Sequence, residues 1–443
     1  MSSDAIMDDP SPATVESNQD IDAVSRNGLT TIASVPSKRG ALSTVISLQL
    51  PAGEAKEDNA VPEIIIKEDS QTQPTIRPHN TSDEETHVII STGSGTGKAE
   101  IFYEQAVKPI LETLWPEGHT NFLTHRTESA TTIQELTNDI LFPTANAGIT
   151  LRIVLLTGDG GIIDLVNGLL AQPPSSSYIA PKVVLLPLGT ANALYHSINV
   201  GNPHQNTWGL KALCLNPSNK AQRKPLPIFT ASFSPGARLL TNEGRDEEVL
   251  PQDPKSGRPI LHGAVVASWA MHATLVADSD TAEYRKFGID RFKMAAKEAL
   301  YPANGSPPHP YHASVSVLQG SDWTLLPNEE HMYVLATMVS NLEKPFCISP
   351  RSKPLDGSLW LVHFGPTSGD EAMRVMGLAY AGGKHVEESM VRYEEIDGLR
   401  IEFHEKEDRW RRVCIDGKIV RVEEGGWVEI TKEDRRVLDV VVE

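Results

Sequence analysis

The sequence predicts an α/β domain with a mostly parallel sheet, followed by a β-rich domain. Three observations carry this expectation. Between residues 86 and 200 short apolar strands alternate with helical patterns, glycine-centred loops stand at the strand-to-helix joins, and beyond residue 228 the runs are mostly strand-like. A chain of 443 residues is long enough for two or three domains, each with its own core.

Residues 1–85 read as an acidic, largely disordered segment. They are rich in Ser, Thr, Asn and Pro, hold no Phe, Tyr or Trp, and bury too little apolar surface to offset their ordering entropy. Val45–Leu50 and Val61–Lys67 are the exceptions, each able to form a short strand. In the α/β domain, 86–200, strands are expected at His87–Ile90, Asn121–Thr124, Leu151–Leu156 and Lys182–Leu186. Helices are expected over Lys98–Leu114, Ser129–Leu141 and Ile162–Ala171, and from Thr190 to Ser197. Residues 201–227, dense in Pro, Asn and Gly, read as a linker around a short helix near Trp208–Leu215. Residues 228–443 form the β-rich domain, with helices at Ile289–Leu300 and Thr367–Tyr380.

Composition excludes several classes. The net charge of −18 argues against a nucleic-acid binder, which needs a basic face. Three isolated cysteines suit a reduced, intracellular compartment, and the acidic N-terminus does not resemble a secretory signal. Ile260–Ala277 lacks charged residues but is interrupted by His262, Gly263, Ser268, His272 and Thr274. It reads as a buried strand pair or strand-turn, so no transmembrane helix is expected.

Four glycine-centred loops carry the chemistry. Ser91-Thr92-Gly93-Ser94-Gly95-Thr96-Gly97-Lys98 follows a strand and precedes a helix, where successive N–H groups favour an anion, although such a run is as often a plain turn. It is not a P-loop, because Thr92 and Ala99 break that pattern. Thr157-Gly158-Asp159-Gly160-Gly161 places one carboxylate at the C-terminal end of a buried strand, the edge where open α/β sheets bind ligands. Pro187-Leu188-Gly189-Thr190-Ala191-Asn192 repeats the arrangement, with Thr190 equally a helix cap. Cys414-Ile415-Asp416-Gly417-Lys418 alone is an ordinary hairpin turn.

In order and spacing these loops resemble the diacylglycerol kinase catalytic domain superfamily. Residues 157–169 are similar to its G-G-D-G-T-x-x-E-V-x-N-G-L signature, Pro187–Asn192 to its P-x-G-T-x-N loop, Thr127-Glu128 to its T-E pair, and Asp416-Gly417 to its D-G-E element. Ser268-Trp269 through Asp278-Ser279-Asp280, then Tyr284-Arg285 to Arg291-Phe292, resembles the sphingosine kinase branch, with a shorter spacer after Asp280.

The resemblance implies an ATP-dependent lipid kinase. Its active site would lie in the cleft between the α/β domain and a sandwich-like β domain, and Mg²⁺ would accompany ATP. Asp159 would orient and deprotonate the lipid's primary hydroxyl. Ser91, Thr92, Gly93, Gly95, Gly97, Thr127, Gly158, Gly160 and Gly161 would surround phosphates. Asp164, Asn167, Gly189, Thr190, Asn192, Asp416 and Gly417 would bound the rest of the nucleotide, and Arg285 and Arg291 would neutralise its charge. Asp280, with Asp278 and Ser268, would bind the substrate, the carboxylate pairing with the amine of a sphingoid long-chain base.

Four departures stand out: Ser91-Thr92 for N-P, Gly161 for Thr, Asp164 for Glu, and Lys418 for the Glu of D-G-E. The competing readings are a diacylglycerol or ceramide kinase, a non-catalytic nucleotide- or lipid-binding protein, and an NAD kinase. The expected setting is cytoplasmic and peripheral at intracellular membranes, where a lipid surface presents the substrate.

Overall fold

The computed structural model describes residues 29–37, 42–49, 61–76, 84–115, 122–201, 206–215 and 222–443. A six-stranded sheet organises the first domain. Its order is Phe122–Arg126, Glu84–Ile90, Thr150–Thr157, Lys182–Pro187, Asp439–Val441 and Arg223–Pro225. The first five strands run parallel, and Arg223–Pro225 pairs antiparallel with Asp439–Val441. The central strand Thr150–Thr157 is almost wholly buried, as a strand covered on both faces must be. Every expected strand and helix of this domain is present. The helix after the first glycine loop widens to a π turn over Tyr103–Val107 between α segments Ala99–Phe102 and Lys108–Leu114.

The structure departs from the expected domain limits at three places. Within residues 1–85, Leu29–Pro36, Ser43–Gln49 and Glu63–Asp69 form a three-stranded antiparallel sheet. Its Ile32, Val35, Ile46 and Leu48 are buried in one core with Phe102, Trp115 and Trp208. The two exceptions expected within the segment, Val45–Leu50 and Val61–Lys67, overlap the second and third of these strands, and Leu29–Pro36 is the one that composition hid. The expected linker 201–227 contributes the buried helix Leu210–Cys214 and the strand Arg223–Pro225. Finally, Asp439–Val441 lies in the sheet of the first domain, not the second.

The second domain is two packed antiparallel sheets. One, of eight strands, has Val266–Ala270 between Arg412–Ile415 and Tyr333–Thr337; the other is built on Ile228–Phe233, Trp427–Glu433, Gly398–Phe403 and Tyr311–Gln319. Tyr311–Gln319 alternates buried and half-exposed residues, the period-two pattern of a strand with one face in the core. Trp269 fills the space between the sheets, 5.4 Å from the Phe403 ring and 5.8 Å from Tyr311.

Ile260–Ala277 is a strand pair and more: strands Ile260–Gly263 and Val266–Ala270 lead directly into a helix, Met271–Ser279. The join is strained, with Ala270 at φ +63°. Among the described residues no helix is long and apolar enough to cross a membrane. Helices Met271–Ser279, Asp290–Leu300 and Gly369–Gly377 stand beside one another on the side facing the first domain's glycine loops. Ser368 caps the last of them, accepting from the Glu371 N–H at 3.2 Å.

Candidate active site

The three glycine loops meet because no side chain keeps them apart. A Cβ on Gly189 would fall 2.3 Å from Gly158 Cα, and one on Gly95 would fall 2.5 Å from the Leu188 carbonyl oxygen. Asn192 closes the third loop on itself in the left-handed conformation (φ +52°), its Oδ1 accepting from the Gly189 N–H at 2.8 Å. Thr92 joins the first loop to Thr127, donating from Oγ1 to the Thr127 carbonyl at 2.8 Å and from N–H to Thr127 Oγ1 at 3.0 Å. Ser91 is spent within its own loop on Ser94, which in turn reaches Thr157 Oγ1 at 3.1 Å.

That last contact explains one departure from the family pattern. A Cβ at Gly161 would fall 2.4 Å from Thr157 Cγ2 and 2.6 Å from Thr157 Oγ1. The Thr157 side chain occupies that space, so glycine is the residue that fits at 161.

Asp159 opens the helix Asp159–Leu170. Its carboxylate accepts from the N–H groups of Ala193 (2.8 Å) and Leu194 (3.0 Å), which fixes it between two loops and leaves further lone pairs for a ligand. Burial raises its pKa above the usual carboxylate value, against the pull of those N–H groups. Asp416, in a left-handed turn (φ +48°), accepts from the N–H groups of Ala264, Val265 and Val266. Burial pushes its pKa up to about 7, with Asp159 adding to the rise. The two carboxylates thus sense each other from opposite domains.

Between the domains lies a cleft of about 730 Å³. Gly93, Gly95, Gly158, Asp159, Gly160, Gly189 and Thr190 line it from the first domain. Asp280, Arg285, Arg291, Asp416 and Gly417 line it from the second. Asp280 is held by both arginines, bidentately by Arg285 (two contacts of 3.0 Å) and at 3.4 Å by Arg291. Hydrogen bonding to Asp280 raises the Arg285 pKa, whereas burial lowers that of Arg291. Arg291 Nε is buried without an acceptor among the described residues. It is a donor suited to a phosphate oxygen.

Several expected contacts fall elsewhere. Asn167 is buried and accepts from the His262 N–H while donating to the His262 and Ile163 carbonyls, so it staples the domains together and does not face the cleft. Asp278 is taken up by Arg409 and Arg412 at 2.9 and 2.8 Å. Ser268 is buried and pairs with His272 at 2.6 Å; His272, not Ser268, reaches the cleft, its pKa pushed down to about 4 by burial. Gly97, Thr127, Gly161 and Asn192 shape the loops from behind the cleft surface.

Asp164 and Lys418, two of the departures, pair with each other across the domain interface at 2.8 Å. The changes are complementary. Replacing Lys418 by Glu is expected to lower stability and raise the KM for ATP, and the charge-reversed pair Asp164→Lys/Lys418→Asp to recover both. A four-variant cycle of denaturation midpoints should show a coupling of about 1 kcal/mol, that of a partly exposed pair.

Sequence reasoning missed the apolar end of the cleft. Leu275, Phe292, Leu300, Phe346, Met373 and Met376 line it, most of them on the three helices. The signal was available in Met373 and Met376, three apart on one helix face, but not which element faced them.

The comparisons with known proteins agree with this geometry. Residues 85–222 match the family model of the diacylglycerol kinase catalytic domain. Sphingosine kinase 1 of Homo sapiens is 23% identical over 328 residues, spanning 68% of this chain and 77% of its own. Its counterpart in Mus musculus is 22% identical over 327 residues, with the same coverage. Two structures of candidate diacylglycerol kinases from Bacillus anthracis str. Sterne share the fold at 16% and 14% identity. Their TM-scores are 0.53 and 0.52, they cover 82% of this chain, and 97% and 99% of their own lengths are matched. Residues 85–222 thus match the catalytic domain of diacylglycerol kinases, and over 68% of its length the chain is similar to sphingosine kinases.

Proposed function

We propose that the protein transfers the γ-phosphoryl group of ATP to the primary hydroxyl of a sphingoid long-chain base. The observation that carries this reading is the cluster of Asp280 with Arg285 and Arg291, set in one cleft with the glycine loops and an apolar end. The backbone N–H groups of the glycine loops receive phosphates, and the two guanidiniums neutralise charge on the transferring group. Asp159, held by Ala193 and Leu194, orients the lipid hydroxyl and accepts its proton late in the transfer, as a new O–P bond forms and ADP leaves. Among the described residues no three His, Cys, Asp or Glu side chains converge to hold a metal. Mg²⁺ would arrive on the phosphates of ATP and add positive charge to the reacting group. A lipid acceptor places the protein at a membrane surface during turnover.

A neutral acceptor, diacylglycerol or ceramide, is the second reading. It is favoured by the fact that Asp280 is already satisfied by two arginines. On the sphingoid reading, the arginines turn to the phosphates and release that carboxylate to the amine. Asp280→Asn should then lower kcat/KM on an amino-lipid by about 10- to 100-fold, and far less on a neutral lipid. Equal loss on both, in a panel of dihydrosphingosine, phytosphingosine, ceramide and diacylglycerol, would sink the sphingoid assignment.

A further inference from the structure

One charged side chain of the cleft has no part in the chemistry above. Glu343 lies on a short hairpin, Asn341–Glu343 paired with Phe346–Cys347. The hairpin reaches from the second domain to the first: Asn341 donates its N–H to Ser197 Oγ at 2.9 Å and accepts from it at 3.1 Å. This anchor sets Glu343 on the cleft wall beside Leu342, Phe346 and Tyr380. Phe346 and Tyr380 meet edge to face at 4.8 Å, which makes that wall rigid and apolar.

The carboxylate is weakly satisfied there. Tyr380 Oη approaches it at 3.4 Å, a long hydrogen bond. Lys293 lies over the Tyr380 ring at 5.3 Å and 3.7 Å from Asp290, with more than half its side chain in solvent. Burial raises the Glu343 pKa, against Lys293 and Tyr380, in keeping with a carboxylate short of partners. A lipid chain carrying only methylenes at this point would strip the remaining water from the carboxylate and offer nothing back. A hydroxyl on the chain would donate to it.

We propose that Glu343 is a specificity-determining residue that accepts a hydrogen bond from a hydroxyl on the lipid chain, one beyond the reacting hydroxyl, the amine and the neighbouring hydroxyl that all such bases share. The inference rests on the sphingoid-base reading and narrows it to bases with an additional chain hydroxyl. A site built around a polar group discriminates by leaving that group unpaired with the wrong ligand, whereas an apolar wall barely distinguishes the two.

The test compares dihydrosphingosine with phytosphingosine, which differ by one chain hydroxyl, on the full chain and two variants. The native protein should favour the hydroxylated base by about tenfold or more in kcat/KM. Glu343→Leu should bring the ratio to unity or below, mainly by improving the plain base, and Glu343→Gln, which still accepts a hydrogen bond, should keep part of the preference. Thermal unfolding of each variant separates these effects from misfolding. Equal turnover of both bases by the native protein, or a ratio unchanged in Glu343→Leu, overturns the role of Glu343 and leaves the kinase reading standing. Phosphorylation of ceramide or diacylglycerol in place of either base overturns both.

Discussion

Asp159→Asn is expected to reduce phosphoryl transfer by about 10²- to 10⁴-fold, the range for loss of a positioned proton acceptor. The carboxylate is the acidic group that the loop Thr157–Gly161 presents to the cleft, and its two N–H contacts fix its direction before substrate arrives. Asn retains one oxygen for those donors and turns an N–H₂ group toward the other. A stability loss of about 1–3 kcal/mol should therefore accompany the kinetic one. Calorimetric titration with ATP separates the two, because binding should survive where turnover does not. Turnover within tenfold of the native rate would remove Asp159 from the mechanism.

The same group predicts how rate and stability diverge with pH. Asp159 acts ionised, and burial raises its pKa, so kcat/KM should fall on acidification at a pH above the ordinary carboxylate value of about 4. Stability has the opposite sign. Burial pushes the Asp416 pKa up from the usual 3.8 to about 7 in the folded protein, so between those values the native state binds more protons than the unfolded chain. Its contribution to stability is then greatest at the acid end and lost as pH rises toward 7. Denaturation midpoints and rates measured at several pH values across that window check both signs.

Gly189→Ala is expected to have the second largest effect. The new methyl group would fall 2.3 Å from Gly158 Cα and 2.9 Å from Asn192 Oδ1, and the first of these neighbours is backbone that no rotamer change can move. The two loops must part, at a cost of about 1–3 kcal/mol or more. The Asp159 contacts to Ala193 and Leu194 span the same junction, so the KM for ATP should rise by about tenfold or more and kcat should fall as well. Gly160→Ala is the control: a Cβ there meets nothing within 4 Å, and the residue is already in a helix. If both variants unfold at the native midpoint, close loop packing is not what shapes the site.

The sequence made the chemistry of the cleft readable and its supports much less so. Glycine loops at strand ends announce themselves locally, because each loop's composition and its flanking periodicity suffice. Asn167 could not be placed that way. Its spacing in the motif suggests a nucleotide contact, whereas its amide is used on the backbone of His262, a strand of the other domain. Asp278 and Asp280 look equivalent in sequence, yet separate pairs of arginines claim them, Arg409 and Arg412 for Asp278 and Arg285 and Arg291 for Asp280. Two strands of the N-terminal sheet were legible, but its first strand and its packing onto the first domain were obscured for another reason. Its apolar residues are few and lie among acidic and polar neighbours, and their burial depends on Phe102 and Trp208, which belong to later segments. Lys418 stands in the sequence as a lost acid, and its partner Asp164, 2.8 Å away, lies on a distant segment that local spacing cannot connect to it.

The strand Asp439–Val441 lies between Lys182–Pro187 and Arg223–Pro225 in the sheet that carries the glycine loops. During translation, that sheet has a gap until residue 441 has emerged from the ribosome, when the whole β-rich domain has already been made. The half of the protein that is made first is thus the last to be completed. Its exposed strand edge is open to chaperones, or to misplaced strands, for the length of synthesis.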